Sequence, residues 1–543
     1  MRIQQLARSV LPRLLLVVAG GTLGAIAFPQ LGVWPLSFVS VAALSIAVEG
    51  CRSRRGAWLG FAYGLAFFVP LLHWTGIYVG AFPWLLLAVG EAAFFALLGA
   101  ALPVLQRLRA APLWVAAAWV LEEFFRDRLP FGGFPWGRLA FSQSESPLRW
   151  FAALGGAPLV TFVVAAIGAF LAEALRHVGG LEISRRRRII SVVVAAAIFG
   201  CAFGVGDVLE VRRPGGENHG LKIALIQGNV PSAGLTSEAR AREVLDYHVQ
   251  QTMKLVQDVK AGRAQQPDLV LWPEDASDVD PFRDPIAYQE IDETVKAVGV
   301  PILVGAIRYT SDAADADRYN VGILWSPTTG PGAEYAKRHP VPFGEYIPLR
   351  SISDRVSSAA KLVTNQMLAG KGNGLVNGAA VPLGDVICFE VAYDSLVRSS
   401  VKAGAQLLVV QTNNATFGHT AETYQQLAMT KLRAVETGRT VMQVATTGKS
   451  AVIDPNGRVL TQSGALYTPD TLQAGVYPRT AMTLAMRLGS WPEYILSLLA
   501  ALALAWSVRA PLGRSLPWRR RRAVTAPPDG VTTDAEPSEM VRT

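Results

Sequence analysis

At 543 residues the chain is too long for one ordinary domain. Its 51% hydrophobic and 17% charged residues, with a mean hydropathy of +0.29, point away from a simple soluble globule and toward a membrane protein. The net charge of +9 raises nucleic acid as a partner, but the arginines fall in short clusters between apolar runs, a membrane pattern, so no nucleic acid is expected. Cys51, Cys201 and Cys388 stand far apart, with no C-x-x-C and no His/Cys cluster, so neither a structural metal nor a cofactor is expected.

Apolar runs cover Leu14–Phe28, Val33–Val48, Ala57–Leu72, Phe82–Leu105, Ala111–Phe125, Phe151–Leu175 and Ile189–Val208. A last run covers Trp491–Val508. This pattern predicts about seven spans before a polar region and one after it. The first run follows Arg2, Arg8 and Arg13 and lacks a small-residue cleavage site, so it reads as a retained span. Its Gly20 and Gly24 form a G-x-x-x-G, a cue for close helix packing.

Arginines set the expected orientation. Clusters at Arg52–Arg55, Arg107–Arg109, Arg185–Arg188 and Arg519–Arg522 alternate with loops near Pro29 and Gly80 that carry none. Positive-inside places both termini in the cytoplasm and the polar region outside a plasma membrane. One loop dissents. Arg126, Arg128, Arg138 and Arg149 would be external, among Phe131, Phe134, Trp136 and Phe141, a composition that suits an interfacial position. The expected division is a transmembrane region over residues 1–210, an extracytoplasmic region over 221–478, a closing span over 490–508, and a basic, partly disordered tail over 509–543.

The polar region changes period. Short β-branched runs at Leu221–Ile226, Leu269–Leu271, Ile302–Val304, Val321–Leu324, Val386–Ile387, Leu407–Val410, Val441–Val444 and Ala451–Ile453 predict strands. Ser237–Val259, with a cap at Thr236 or Ser237, and Glu422–Glu436 predict helices with one apolar face each. Alternating strands and helices imply an α/β domain.

Three stretches in it carry chemistry. Gly384-Asp385-Val386-Ile387-Cys388-Phe389-Glu390 ends a buried strand in a thiol. Asp268-Leu269-Val270-Leu271-Trp272-Pro273-Glu274 ends another in an acid. Lys337 sits in a Pro/Gly-punctuated loop that runs through Pro342-Phe343-Gly344-Glu345-Tyr346. Thiol chemistry needs a thiolate, a proton acceptor and positive charge facing the developing oxyanion. Cys388, Glu274 and Lys337 supply one each, and His339 offers a rival Cys–His pair.

The order Glu, Lys, Cys resembles the nitrilase (carbon–nitrogen hydrolase) superfamily, and the wording of the lysine loop resembles its membrane-bound branch, the apolipoprotein N-acyltransferases. Gln227-Gly228-Asn229-Val230-Pro231 is similar to that family's opening strand motif. Gln411-Thr412-Asn413-Asn414-Ala415-Thr416-Phe417-Gly418 is similar to a family loop, with Asn414 and Thr416 where Asp and Trp are frequent. Phe389 stands where Tyr is common, and Gly234-Leu235 where some members have Lys-Trp; these departures resemble actinobacterial members. The resemblance implies a polytopic α-helical membrane protein bearing an extracytoplasmic nitrilase-like α-β-β-α sandwich. It implies Glu274, Lys337 and Cys388 as catalytic residues and Glu345 and Glu390 as supporting acids. It implies a phospholipid acyl donor and diacylglyceryl apolipoproteins as acceptors. Two alternatives are a membrane-tethered amidase passing the acyl group to water and a transporter with functional charges at Glu91, Glu122, Glu123 or Glu173.

Overall fold

In a computed structural model of the chain, residues 10–175, 184–210, 220–230, 240–351, 353 and 365–509 are described. The expected cap at Thr236 or Ser237 and the tail beyond residue 509 lie outside them. Among the described residues seven α-helices precede the α/β region: α1 (Val10–Ile26), α2 (Leu36–Val48), α3 (Ser53–Leu71), α4 (Ala81–Leu105), α5 (Ala111–Arg126), α6 (Ala152–Ala174) and α7 (Arg185–Leu209). Among the described residues, four segments are long and apolar enough to cross a membrane: Ala81–Leu105, Pro147–Ala174, Arg185–Leu209 and Trp491–Val508.

Small residues set the helix spacing. A Cβ on Gly20 would lie 2.6 Å from Ala43 Cβ, and one on Gly24 2.6 Å from Ser40 Oγ, so the G-x-x-x-G face of α1 seats directly on α2. Between α3 and α4 the approach is closer still: a Cβ on Gly60 would meet the Phe95 carbonyl at 2.1 Å.

The α/β region is two six-stranded sheets. The first comprises β1 (Leu221–Gln227), β2 (Leu269–Leu271), β3 (Ile302–Tyr309), β4 (Arg318–Ser326), β5 (Gly330–Ala336) and β12 (Asp470–Val476), in the order β12-β1-β2-β3-β4-β5. The second comprises β6 (Leu375–Val376), β7 (Leu383–Ile387), β8 (Leu407–Thr412), β9 (Val441–Ala445), β10 (Ala451–Ile453) and β11 (Val459–Gln462), in the order β11-β10-β9-β8-β7-β6. Each has a parallel core of three strands, β1-β2-β3 and β7-β8-β9, flanked by antiparallel ones. Leu225, Leu271 and Leu303 of one sheet pack with Leu407, Val409 and Met442 of the other. Helices α8 (Ala241–Lys260) and α9 (Pro285–Val298) cover the first sheet through Leu245, Leu255, Ile291 and Val295.

Helices α10 (Asp394–Lys402) and α11 (Glu422–Thr437) cover the second sheet, and their apolar side chains belong to the same core as the membrane helices. Helix α11 packs on α6, as does the short α12 (Leu484–Leu488), before α13 (Trp491–Arg509) closes the chain against α5. The sandwich therefore stands on the apolar helices through one of its own helical layers.

The eight expected strands form, most of them a few residues longer. Four others were not read from the sequence. Gly330–Ala336 carries Gly-Pro-Gly, a turn signal, yet pairs with β4 as an antiparallel edge. Leu375–Val376 is too short to signal, and Val459–Gln462 and Asp470–Val476 are polar edge strands recruited by pairing.

The dissenting loop has a different explanation from an interfacial anchor. Arg126 and Arg138 are buried. Arg126 pairs with Glu122 and Glu91 and donates to the carbonyls of Phe134 and Trp136. Arg138 pairs with Glu123, Asp127 and Asp394. Glu91, Glu122 and Glu123, weighed as transporter charges, are thus partners of arginines, and Glu173 pairs with Arg187. Trp136 is 2% exposed and stacks with Phe134, so neither ring serves as a simple lipid-facing anchor.

Candidate active site

Strand β7 ends at Ile387, and the chain turns at Cys388 with φ +52°, a left-handed conformation an L side chain rarely takes. Asp275, just after Glu274, has φ +53°. Both strand ends thus break sharply, and both face the gap between the sheets. A Cβ on Gly305 would lie 1.9 Å from the Pro273 carbonyl, so only glycine lets β3 pass under the turn that carries Glu274.

The charges interlock. Lys337 Nζ donates to Glu274 Oε1 at 2.9 Å and to Glu345 Oε1 at 2.7 Å. Glu274 Oε1 also accepts from Asn320 Nδ2 at 2.7 Å, and its Oε2 from the Asn413 backbone at 2.8 Å. Lys337 is 1% exposed and Glu274 3%, so the pairing operates away from bulk water. Burial opposes the Lys337 charge, but Glu274 and Glu345 more than offset it and hold the ammonium well above its ordinary pKa. Burial pushes the Cys388 thiol well up, Glu274 adds to this and Lys337 opposes it, so the resting thiol keeps its proton. Burial raises the Asp275 carboxyl well above its ordinary value, and Asp278 and Glu274 add to this.

The two supporting acids differ. Glu345 touches Lys337 directly, folded back by its Oε2 accepting from the Val341 backbone at 2.7 Å and by a tight turn with Phe343 at φ +63°. Glu390 makes no bond to Lys337. It accepts from Tyr335 Oη, from the Arg338 and His339 backbone and from the Ile387 backbone, at 2.7–3.1 Å. It ties the lysine loop to the strand end carrying Cys388. Its carboxyl is raised, chiefly by burial.

His339 lies against Tyr393, ring centroids 4.1 Å apart, and burial together with Lys337 lowers it to about 4. It is neutral, and no hydrogen bond links it to the thiol. Cys51 is buried and accepts from Arg13, and Cys201 is exposed on α7. Asn320 and the helix pair Gln425–Gln426 were not read from the sequence, and Asn413 was read only as part of the Gln411–Gly418 loop. Asn320 had a signal, a buried amide inside an apolar strand run. Among the described residues no three His, Cys, Asp or Glu side chains are grouped to hold a metal.

Membrane residues reach the site. Phe389, next to the nucleophile, stacks on Phe134 at 5.4 Å and on Trp136 at 5.9 Å. Trp136 Nε1 and Trp74 Nε1 both donate to Gln425 Oε1. An α-β-β-α sandwich with an acid, a lysine and a thiol at its strand ends, mounted on apolar helices, defines a membrane-bound member of the carbon–nitrogen hydrolase class.

Comparison with known proteins narrows this. The profile of the apolipoprotein N-acyltransferase N-terminal domain matches residues 20–170, and that of the carbon–nitrogen hydrolases residues 222–481. The apolipoprotein N-acyltransferase of Mycolicibacterium smegmatis is 38% identical over 525 residues, 94% of this chain and 87% of its own. That of Pseudomonas putida is 30% identical over 520 residues, 92% and 97%. Among solved structures, a nitrilase-superfamily amidase from Nesterenkonia aligns over 50% of this chain and 95% of its own, at 18% identity and a TM-score of 0.37. The chain belongs to the apolipoprotein N-acyltransferase family.

Proposed function

We propose that the protein moves an acyl chain from a phospholipid, through a thioester on Cys388, to the α-amine of the diacylglyceryl-cysteine that begins an apolipoprotein. The observation that carries this is the join between site and base. A Glu274–Lys337–Glu345 array surrounds the thiol, and the residue beside that thiol stacks on aromatic rings from the membrane region.

In the first half the Cys388 sulfur attacks the ester carbonyl, and the thiol proton passes to Glu274. Three donors occupy Glu274, which leaves lone-pair capacity on Oε2 for that proton. Two of the three Lys337 protons bind carboxylates, and the third is free for the developing oxyanion. The C–O bond breaks, Glu274 returns the proton to the leaving oxygen, and a lysophospholipid departs. In the second half the neutral amine attacks the thioester, Glu274 takes a proton from nitrogen, the C–S bond breaks, and the proton returns to sulfur. The aromatic wall keeps water from the thioester between halves.

The same reading places the catalytic region outside the cytoplasm and both termini inside. Burying Arg126 and Arg138 in ion pairs removes two of the four dissenting arginines from the alternation. Reporter fusions near Gly220 and at Thr543 are expected on opposite sides.

The chemical test mixes purified protein with phospholipid alone. A hydroxylamine-sensitive acyl adduct on Cys388 is expected, and a diacylated lipopeptide with a free amine should discharge it as N-acylated product. Release of free fatty acid at the same rate without lipopeptide would mean that water is the acceptor. Active protein with no adduct would remove Cys388 as nucleophile.

A further inference from the structure

The thiol has a second set of partners, and none of them is charged. Gln426 on α11 is fully buried, with Nε2 3.6 Å from Cys388 Sγ. Its Oε1 accepts from Thr412 Oγ1 at 2.9 Å and from Asn414 Nδ2 at 3.0 Å. Asn414 Nδ2 also donates to Glu422 Oε2 at 2.8 Å, and both of those residues are buried. Two donors converge where the Gln426 oxygen sits, and flipping the amide would set its N–H groups against the Asn414 amide N–H. This arrangement turns the Gln426 N–H toward the sulfur. The Thr412 hydroxyl also bears on Cys388 and opposes the rise of the thiol, as a donor to sulfur does. It has one proton to share between Gln426 Oε1 and the sulfur, so threonine and glutamine both line the sulfur as donors.

We propose that Gln426 is a positioning residue for the nucleophile. Its amide N–H, fixed from behind by Thr412 and Asn414, holds Sγ in the attacking orientation and stabilises the thiolate once Glu274 has taken the proton. This rests on the acyl-transfer reading of Cys388. It gives the two donors separate tasks. Lys337, already bound by two carboxylates, serves the carbonyl oxygen, and Gln426 serves the sulfur. A thiolate only accepts, so the N–H···S contact strengthens when the proton leaves, as hydrogen bonds to ionised groups do. The neighbouring Gln425 faces the other way and holds the two tryptophans, so one turn of α11 orders both the thiol and the aromatic wall.

The test uses full-length protein in nanodiscs and three variants: Gln426→Met, which keeps volume and loses the donor, Gln426→Asn, and Asn414→Ala, which frees the amide from one of its two donors. Two rates are measured: acyl-adduct formation from phospholipid vesicles, and iodoacetamide alkylation of the Cys388 peptide against pH, read by mass spectrometry so that Cys51 and Cys201 do not interfere. Gln426→Met is expected to slow adduct formation about ten- to a hundredfold with little change in the phospholipid concentration giving half-maximal rate. Its alkylation profile should move to higher pH by roughly one unit, because the thiolate has lost a donor. Asn414→Ala should move both in the same direction by less, and it decides the matter if Gln426→Met does not fold. Gln426→Asn, whose shorter arm withdraws the N–H, should resemble Met. Slower turnover with an unmoved alkylation profile would make Gln426 a packing residue and overturn the proposal. If wild-type protein forms no adduct on Cys388, the acyl-transfer reading fails instead, while the alkylation profile still reports on the amide contact.

Discussion

Two buried clusters of charge lie in this protein, and they are built from different cations. The one in the sandwich has a lysine at its centre, between Glu274 and Glu345. The one at the seam between sandwich and membrane helices uses Arg126, Arg138 and Arg433, with Glu91, Glu122, Glu123, Asp127, Asp394 and Glu436 around them. Each arginine binds several groups at once. Arg433 bonds Asp394, Glu436 and the carbonyls of Val391 and Ala392, and Arg126 binds two carbonyls besides its acids. A planar fork with five donors suits a joint that must not move. An ammonium with one donor unspent suits a site that must receive a transient charge. The seam fixes position, and the sandwich keeps one bond in reserve.

The sharpest way to break this contrast is to remove each cation. Lys337→Ala is expected to lower turnover by at least roughly a thousandfold, since it removes the one cation bonded to Glu274 among the described residues and, with it, the proposed oxyanion donor. The protein should remain folded and monodisperse, with Glu345 turning toward solvent. Wild-type turnover in that variant would return His339 to consideration. Arg433→Met should do the reverse. It strands Glu436 in the core and leaves Asp394 paired with Arg138 alone among the described residues, at a cost of about 3–5 kcal/mol, and should lower the thermal midpoint in detergent by several degrees. Activity per folded molecule should fall far less than in Lys337→Ala. Equal losses of stability in the two variants would erase the distinction.

A smaller effect is expected where the two roles meet. Glu390 carries no reacting atom, yet five hydrogen bonds converge on it from both sides of the site. Glu390→Gln keeps the shape and turns one acceptor into a donor that faces donors. It should lower kcat about ten- to a hundredfold, because Lys337 and Cys388 lose their common tie, while KM changes little. A KM change alone would place Glu390 in substrate binding.

The sequence revealed what repeats and what is charged. Strands with β-branched cores, such as Leu269–Leu271 and Leu407–Thr412, announced themselves, and so did Glu274, Lys337 and Cys388, each just beyond an apolar run or in a punctuated loop. Edge strands such as Asp470–Val476 did not, because pairing with β1 rather than local propensity makes them strands. The uncharged half of the site was equally silent. Gln426 sits among residues typical of any helix, and although the loop from Gln411 through Thr412 to Gly418 was noticed, only the packing of α11 over β8 brings the two side chains to the thiol. The arginines of the loop after α5 were visible but misassigned. Their acids come from three helices, which no local pattern can join.

The smallest effect concerns Glu422, the outer end of the amide chain behind Cys388. It is 1% exposed, and burial pushes its carboxyl up to about 8; the Asn414 amide opposes this and the charge on Glu274 adds to it. Its folded pKa thus lies above the ordinary glutamate value of 4.5. A group raised in this way binds its proton more tightly when folded, so its contribution to stability is complete below about 4.5 and declines as pH rises through about 8. Glutamine accepts the same Asn414 bond and does not titrate. Glu422→Gln should therefore match wild type in turnover at neutral pH, since Gln426 stays anchored. Its thermal midpoint should pull ahead of wild type steadily between pH 5 and pH 8, by the equivalent of roughly 1–3 kcal/mol at the upper end, and then level off. Parallel midpoint curves would mean that Glu422 is ionised throughout. The chain Cys388–Gln426–Asn414 would then end on a fixed negative charge, and Asn414→Ala should perturb the thiol more than Gln426→Met does.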